Sequence, residues 1–314
     1  MNSNTKLALD DREAYFQKIE NEAITLFDST KRKVSNILKV DCYKTLLQLF
    51  SRFHRYSYIN IILIYLQFPD AVYIAGFDTW KTSCLNIWND PSRQVIKPEY
   101  QKNGIRLLAP YTQVTDKENR RVFNFVVKVY EASQTNDIPP LEEEKEFLTK
   151  PTLKNLLSAL RFHSPYRITY AGREDQIINN GLKGYCNHSN GLIVLDETLK
   201  YDSLLKETFR QIVCAEIELF DLNLSRMDDL IIESVVYVLS LHFGVSLEYT
   251  DLLFVSRYRN NSDDELSTAL FLIQRISHKL IEQIESFLGD IEVYAADTWA
   301  NETALLNFDI EEEY

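Results

Sequence analysis

The hydrophobic pattern changes from helical to extended within residues 57–75, which read Ser-Tyr-Ile-Asn-Ile-Ile-Leu-Ile-Tyr-Leu-Gln-Phe-Pro-Asp-Ala-Val-Tyr-Ile-Ala. Ser57 is a typical N-cap residue for an apolar helix over residues 58–68, and Pro69 ends that helix. The short apolar run at residues 72–75 then predicts a strand. A helix that is followed at once by a strand indicates an α+β fold.

The same mixture of patterns continues through both halves of the chain. Apolar residues at intervals of three and four predict further helices, and short apolar or alternating runs predict strands. Helices are expected at residues 16–38, 42–53, 152–162, 204–220, 230–243 and 264–288, before a polar and acidic tail. Strands are expected at residues 105–109, 122–130, 166–170, 184–187 and 191–195. We therefore expect an α+β chain whose C-terminal part is mostly helical with a small sheet.

The composition is that of a globular protein, because 45% of the 314 residues are hydrophobic and 25% are charged. No apolar run reaches the ~18–20 residues of a membrane span, and the first residues lack the apolar core of a signal peptide. The four cysteines are widely spaced and form no CxxC motif, which argues against a disulfide framework and a zinc knuckle. We therefore expect a cytoplasmic protein with no membrane partner.

The charge is distributed unevenly along the chain, whose formal net charge is −12. Residues 1–140 hold 19 Lys and Arg against 15 Asp and Glu, whereas residues 141–314 hold 15 against 31. The first half can therefore lie against phosphates that the second half repels. The contrast coincides with a linker-like stretch at residues 132–140, which ends in two prolines and precedes an acidic run. These observations predict two domains, residues 1–140 and residues 141–314.

Four stretches between residues 50 and 135 carry a family likeness. They are 50–60 (Phe-Ser-Arg-Phe-His-Arg-Tyr-Ser-Tyr-Ile-Asn), 69–81 (Pro-Asp-Ala-Val-Tyr-Ile-Ala-Gly-Phe-Asp-Thr-Trp-Lys), 93–97 with 104–110 (Arg-Gln-Val-Ile-Lys and Gly-Ile-Arg-Leu-Leu-Ala-Pro), and 129–135 (Val-Tyr-Glu-Ala-Ser-Gln-Thr). In order and spacing they resemble the N-terminal domain of the ArdC-like antirestriction proteins, which include the LtrC-type proteins of mobile elements. One departure is the loop before Arg93, where the family usually has a glycine and this chain reads Asp-Pro-Ser.

The resemblance implies that residues 1–140 bind single-stranded DNA. Single strands are held by aromatic rings that stack on bases and by cations along the backbone, and this window interleaves both residue types. The residues predicted to bind DNA are Arg52, Arg55, Tyr56, Tyr58, Asn60, Trp80, Lys81, Arg93, Lys97 and Arg106. Tyr73, Phe77 and Trp88 lie in the same window. Packing in the core is the alternative role for the aromatic residues, above all for Phe77 and Trp80.

The second half resembles the zinc metallopeptidase-like domain that follows in the same family. The helical HExxH motif of that domain supplies two zinc-binding histidines and a general base, and a later helix supplies a carboxylate ligand. Residues 211–220 match the motif and read Gln-Ile-Val-Cys-Ala-Glu-Ile-Glu-Leu-Phe. Glu216 falls on the general-base position and Glu233 on the third-ligand position. Ala215 and Leu219 replace both histidines, so we expect no bound metal, no cofactor and no catalytic residue.

Two carboxylates remain at this degenerate motif. Glu216 lies on the apolar face of its predicted helix, and Glu233 lies in a helix that is apolar almost all round. Unpaired buried carboxylates are unfavourable. Four arrangements are therefore open: the two groups share a proton, pair with an arginine, hold a hard cation, or one of them lies at the surface.

The sequence thus predicts an antirestriction protein of a plasmid, phage or integrative element that coats incoming single-stranded DNA. Occlusion would shield the bound strand, and the second domain would be an inactive peptidase-like scaffold. In a second interpretation, the acidic half mimics DNA or docks on a basic host restriction or defence protein. A third interpretation is an active metalloenzyme with an unorthodox metal site.

Overall fold

The computed structural model of the chain describes residues 3–34, 40–88, 94–114, 120–136, 150–219, 227–247, 249–258 and 260–308. The chain forms two compact units. Unit 1 comprises Met1–Lys145 and Tyr249–Gln274, and unit 2 comprises Glu146–Glu248 and Arg275–Tyr314. The division predicted at residue 140 did not include this return of the chain to unit 1. That the chain has two functional domains stays a prediction.

Unit 1 consists of helices and a three-stranded sheet. Its described elements are α1 (Ser3–Lys31), α2 (Val40–Arg52), α3 (Tyr58–Gln67), β1 (Ile74–Gly76), α4 (Phe77–Trp88), β2 (Ile105–Val114), β3 (Arg120–Glu131), a short 3-10 helix (Ala132–Gln134) and a longer one (Tyr249–Tyr258). Strand β3 is central and runs antiparallel to both neighbours. In register, Ile74 of β1 is opposite Glu131, and Ile105 of β2 is opposite Val129.

Helix α3 begins and ends where its sequence predicts. Ser57 is the N-cap residue, and its side chain accepts a hydrogen bond from the backbone N–H of Asn60. The helix ends at Gln67, two residues before Pro69. Its buried residues are Ile59, Asn60, Ile61, Ile62, Leu63 and Ile64. This apolar helix packs on α2 and β2, so it forms the centre of the core of unit 1.

Two amide side chains of α3 form hydrogen bonds with backbone groups at the outer edge of β2. The Nδ2 of buried Asn60 donates to the carbonyl of Leu108 at 2.9 Å, and the Oδ1 of Asn60 accepts from the N–H of Leu108 at 2.8 Å. Gln67 makes the same pair of bonds with Arg106, at 3.0 Å to the carbonyl and 2.9 Å from the N–H. Because β2 is an edge strand, these amides take the place of a further strand.

Unit 2 is mostly helical and contains a small mixed sheet. Its described elements are α5 (Lys150–His163), β4 (Arg167–Ala171), α6 (Gln176–Asn179), β5 (Gly184–Asn187), a 3-10 helix (His188–Asn190), β6 (Leu192–Asp196), α7 (Tyr201–Leu219), α8 (Asp228–His242) and the part of α9 (Asp263–Phe308) that follows residue 274. Strand β6 is central, parallel to β4 and antiparallel to β5. Helix α7 packs on α8, β5 and β6.

The predicted α+β class is confirmed, and one expectation at the C-terminus is wrong. The tail expected after residue 288 is helical as far as Phe308. Gly289 is tolerated inside a helix, and the alanines and leucines that follow it are strong helix formers. In the part of the chain that the structure describes, no helix combines the length and the apolar character needed to cross a membrane.

Candidate functional site

Three of the predicted DNA-binding cations are exposed on unit 1. Arg52 is the last residue of α2, and its Nη1 donates a hydrogen bond of 3.2 Å to the carbonyl oxygen of Ala71, shortly before β1. Arg55 follows in the turn between α2 and α3, and Lys81 lies on α4. The Arg52 contact therefore ties the end of α2 to the segment that leads into β1 and α4.

Two of the predicted tyrosines are half-buried. The Tyr56 ring packs edge-on against Phe53, with 6.0 Å between ring centroids. Burial raises the pKa of the Tyr56 hydroxyl, and the neighbouring Tyr73 raises it further. The Tyr58 ring packs edge-on against Phe271, with 5.9 Å between centroids. Both tyrosines keep part of their surface exposed, so both can contact a ligand.

Two other predicted DNA-binding residues lie in the core of unit 1. Trp80 is buried, and its Nε1 donates a hydrogen bond of 2.9 Å to the carbonyl of Tyr130. Asn60 is also buried and binds the backbone of β2. Neither side chain presents a face to a base or a phosphate, so the structure corrects these two assignments. Core packing is the role of Trp80, whereas Phe77 is exposed.

The other predicted cations bind protein acceptors or lie outside the described residues. Lys97 Nζ donates to the carbonyl of Ser133 at 2.6 Å. Arg106 Nη2 lies 2.8 Å from the Glu22 carboxylate in an ion pair. Arg93 lies outside the described part of the chain. Both side chains are also half-buried, so they are less open to a phosphate than the three exposed cations.

In unit 2, the glutamate predicted at the general-base position of a degenerate HExxH motif is part of an ion pair. Helix α7 carries Ala215, which is buried, and Glu216, whose side chain is only 3% exposed. Both carboxylate oxygens of Glu216 lie 2.7 Å from Nζ of Lys279 on α9. The carboxylate that would activate a metal-bound water is thus paired with a lysine.

The third-ligand position is also occupied by an ion pair. Glu233 on α8 accepts hydrogen bonds from both Nη atoms of Arg210 on α7, and the Nη2–Oε2 distance is 2.9 Å. The Nε of Arg210 lies 3.4 Å from the carboxylate of Glu207. Pairing with an arginine was one of the four open arrangements, and it is found for Glu233. Glu216 has its own, different basic partner, so the two carboxylates do not share a proton.

These residues do not fit a divalent metal. Alanine and leucine, at positions 215 and 219, have no ligand atom, and the side chain of Leu219 lies outside the described residues. The carboxylates of Glu216 and Glu233 are held by basic side chains. A metal ion would have to displace both cations and would still lack the two imidazole ligands of a zinc peptidase site.

Sequence reasoning did not identify the two basic partners, Lys279 and Arg210. Lys279 lies between Ile276 and Leu280, which are both buried. A lysine that adjoins the buried, apolar face of a helix is therefore the signal that could have found it. Arg210 lies three residues after Glu207, and this spacing is typical of a local ion pair on a helix. Because Glu207 already explains the arginine, the sequence gives no sign that Arg210 also binds Glu233 on the next helix.

Two cysteines near the degenerate motif are protonated thiols. Burial raises the pKa of Cys214 to about 12. Burial, and then the nearby Glu218 carboxylate, raise the pKa of Cys186 to about 11. The Sγ of Cys186 lies 3.8 Å from Nδ1 of His188. Because the thiolate is the reactive form, these pKa values argue against a nucleophilic cysteine at neutral pH.

Comparison with known proteins adds a likeness of fold. No protein-family model matches the chain, and no curated protein matches it either. The chain is similar to ArdC. One similar structure is the crystal structure of the Mn(II)-bound antirestriction protein ArdC from plasmid R388. Its sequence is 15% identical to that of this chain, and the TM-score is 0.45 over 73% of this chain and 89% of that chain. The metal-free ArdC structure is 14% identical, with a TM-score of 0.45 over 74% and 86% of the two chains.

Proposed function

We propose that this chain is an antirestriction protein of a mobile genetic element that binds single-stranded DNA through unit 1. The observation that carries the proposal is that three predicted cations, Arg52, Arg55 and Lys81, are exposed on unit 1, and that Tyr56, next to Arg55 in the chain, is partly exposed. Cations and aromatic rings on one surface are what an unpaired strand requires. The resemblance of this segment to the N-terminal domain of the ArdC-like proteins supports the same function.

Protection by occlusion follows from the chemistry of these side chains. A phosphate that is bound by arginine or lysine is covered, so a nuclease that must reach the same backbone is excluded. Arg52 is suited to this role because its bond to the Ala71 carbonyl uses a single N–H group of the guanidinium. A guanidinium has five such donors, and the others can form charge-assisted hydrogen bonds with a phosphate. No bond of the DNA is made or broken in this mechanism.

Unit 2 is, in the same proposal, a peptidase-like scaffold without catalysis. The support is the pair of cations that hold Glu216 and Glu233, together with the replacement of both motif histidines by Ala215 and Leu219. Without the two histidines there is no metal-bound water for Glu216 to deprotonate, and its carboxylate is paired with Lys279 instead. A divalent metal that reached this motif would meet two carboxylates already neutralised by cations and no imidazole at positions 215 and 219.

A titration of the whole protein tests DNA binding. The ligands are a labelled single strand of about 20 nucleotides and a duplex of the same length, each at several salt concentrations. We expect the single strand to bind more tightly, with an affinity that falls by about 0.7 log units per tenfold rise in salt for each phosphate contact.

Charge-neutral variants locate the contacts. Arg55→Gln and Lys81→Gln should each weaken binding and make the salt dependence shallower by about 0.7. Arg167→Gln is the matched control, because Arg167 is an exposed cation on β4 of unit 2, and it should change neither quantity. If the whole protein fails to bind a single strand even at low salt, the proposal is wrong.

A second candidate function is favoured by the acidic excess of residues 141–314, which hold 31 Asp and Glu against 15 Lys and Arg. Such a surface suits docking on the basic DNA-binding face of a host restriction or defence protein. This function does not need the cations of unit 1. A variant that carries both Arg55→Gln and Lys81→Gln would then protect DNA from the host enzyme as well as the unchanged protein does.

A further inference from the structure

Three large side chains are exposed on either side of β1 in unit 1, Val72 and Tyr73 before the strand and Phe77 directly after it. Val72 is 47% exposed, and the rings of Tyr73 and Phe77 are each 46% exposed. We call these three residues the aromatic corner. Large aromatic rings bury much apolar area when they are covered, so two exposed rings at the two ends of one short strand point to a ligand.

The backbone of the aromatic corner and the Tyr73 ring are held in place. The carbonyl of Tyr73 accepts a hydrogen bond of 2.9 Å from the N–H of Ala132, which extends the pairing of β1 with β3. The Tyr73 ring meets the buried Trp80 ring edge-on, with 5.2 Å between centroids. Phe77 is the first residue of α4, one turn before Trp80. A ring that is already fixed, as that of Tyr73 is, loses little conformational entropy when a ligand covers it.

The charges around the aromatic corner suit a polyanion but do not hold one by themselves. Arg52 reaches the backbone just before Val72, and Lys81 lies one helical turn after Phe77, on the same side of α4. The carboxylates of Asp70 and Asp78 are exposed in the same segment. Because these acids offset part of the positive charge, attraction of phosphates alone gives limited affinity here, and contacts with bases have to contribute.

We propose that Tyr73 and Phe77, and not Trp80, are the residues on which unpaired bases of single-stranded DNA stack. The inference rests on the proposed function of unit 1 and adds the residues that contact the bases. Arg52 and Lys81 then hold phosphates on either side of the stacked bases. Trp80 acts as a support, because its ring is the surface against which Tyr73 is fixed.

The test compares two strands that differ only in their bases. The whole protein is titrated with labelled oligothymidylate of about 20 nucleotides and with an abasic strand of the same length and backbone charge. We expect oligothymidylate to bind more tightly than the abasic strand. Phe77→Ala and Tyr73→Ala should each weaken binding of oligothymidylate by roughly 10-fold and leave binding of the abasic strand unchanged.

Matched variants separate stacking from folding. Tyr73→Phe keeps the ring and should bind oligothymidylate like the unchanged protein. Tyr15 on α1 is 62% exposed, and Tyr15→Ala should have no effect on either strand. The melting temperature of each variant is measured in parallel. If Tyr73→Ala melts early because its contact with Trp80 is lost, the Phe77→Ala variant decides, provided that it melts at the same temperature as the unchanged protein.

The outcomes distinguish this inference from the proposed function. If both strands bind equally well and the alanine variants change nothing, DNA binding stands and the stacking inference is wrong. If neither strand binds, both are wrong. If the alanine variants instead turn a sedimenting dimer into a monomer, the aromatic corner binds a second copy of the chain, and that result also overturns the inference.

Discussion

The ion pair between Glu216 and Lys279 in unit 2 joins a buried side chain to a partly exposed one. The Glu216 side chain is 3% exposed, whereas that of Lys279 is 43% exposed. The lysine therefore reaches a buried carboxylate while part of its own side chain stays in water. Removing the lysine alone would leave a buried charge without a partner, but removing both charges would not.

We expect Lys279→Met to lower the free energy of unfolding by about 1–3 kcal/mol, less than for a fully buried pair because Lys279 is partly exposed. The double variant Glu216→Gln, Lys279→Met should recover most of that loss, because no unpaired charge remains. Urea denaturation at neutral pH measures both. Lys183→Met, at an exposed lysine of unit 2, is the control. Equal losses in the single and double variants would show that the lysine acts through packing.

At the scale of elements, α3 closes the edge of the sheet in unit 1. Its two amides bind alternate residues of β2, Leu108 and Arg106, whose backbone groups point away from β3. The two pairs have the same geometry, but Asn60 is buried and Gln67 is exposed. Water can replace an exposed amide and cannot replace a buried one, so the two pairs should differ in their contribution to stability.

Asn60→Ala should lower the free energy of unfolding by about 2–4 kcal/mol, because it leaves a buried N–H and a buried carbonyl of Leu108 without partners. Gln67→Ala should cost less than about 1 kcal/mol for the same pair of hydrogen bonds at an exposed site. Chemical denaturation of the two variants gives the comparison. If both variants lose a similar free energy of unfolding, burial of the backbone groups does not set the cost of leaving them unpaired.

At the scale of the whole molecule, the chain leaves unit 1, forms most of unit 2 and then returns to unit 1. Residues 249–274 belong to unit 1 although residues 146–248 of unit 2 precede them. Within unit 1, Phe271 packs on Tyr58, and Gln274 Nε2 donates a hydrogen bond of 2.9 Å to the carbonyl of His54. The α2–α3 turn that carries Arg55 is therefore supported by a segment that is distant in sequence.

A fragment of residues 1–145 should consequently melt at a lower temperature than a fragment in which residues 249–274 are attached through a flexible Gly/Ser linker. The added segment restores the contacts of Tyr58 and His54. Circular dichroism of the two fragments measures the difference. The linked fragment with Phe271→Ala and Gln274→Ala is the control, and a melting temperature as high as that of its parent would contradict the explanation.

The parts of this fold that depend on local pattern could be predicted from the sequence, and the parts that depend on distant partners could not. Ser57 and Pro69 fix the ends of α3 because capping and helix termination are local. The pairing of Glu216 with Lys279 joins residues 63 positions apart, which no periodicity reveals. Trp80 and Tyr73 differ in burial although both are aromatic, because Trp80 binds the carbonyl of Tyr130, a partner 50 positions away that the local sequence does not reveal.

The return of residues 249–274 to unit 1 also has a consequence for the order of biosynthesis. Residues 1–145 leave the ribosome early in translation. Residues 249–274, which include the Phe271 that packs on Tyr58, emerge only after most of unit 2 has been translated. Until then the nascent polypeptide exposes apolar surface that a chaperone can bind. Unit 2 is itself completed by residues 275–314. A message truncated before codon 274 therefore yields a product in which neither unit is complete.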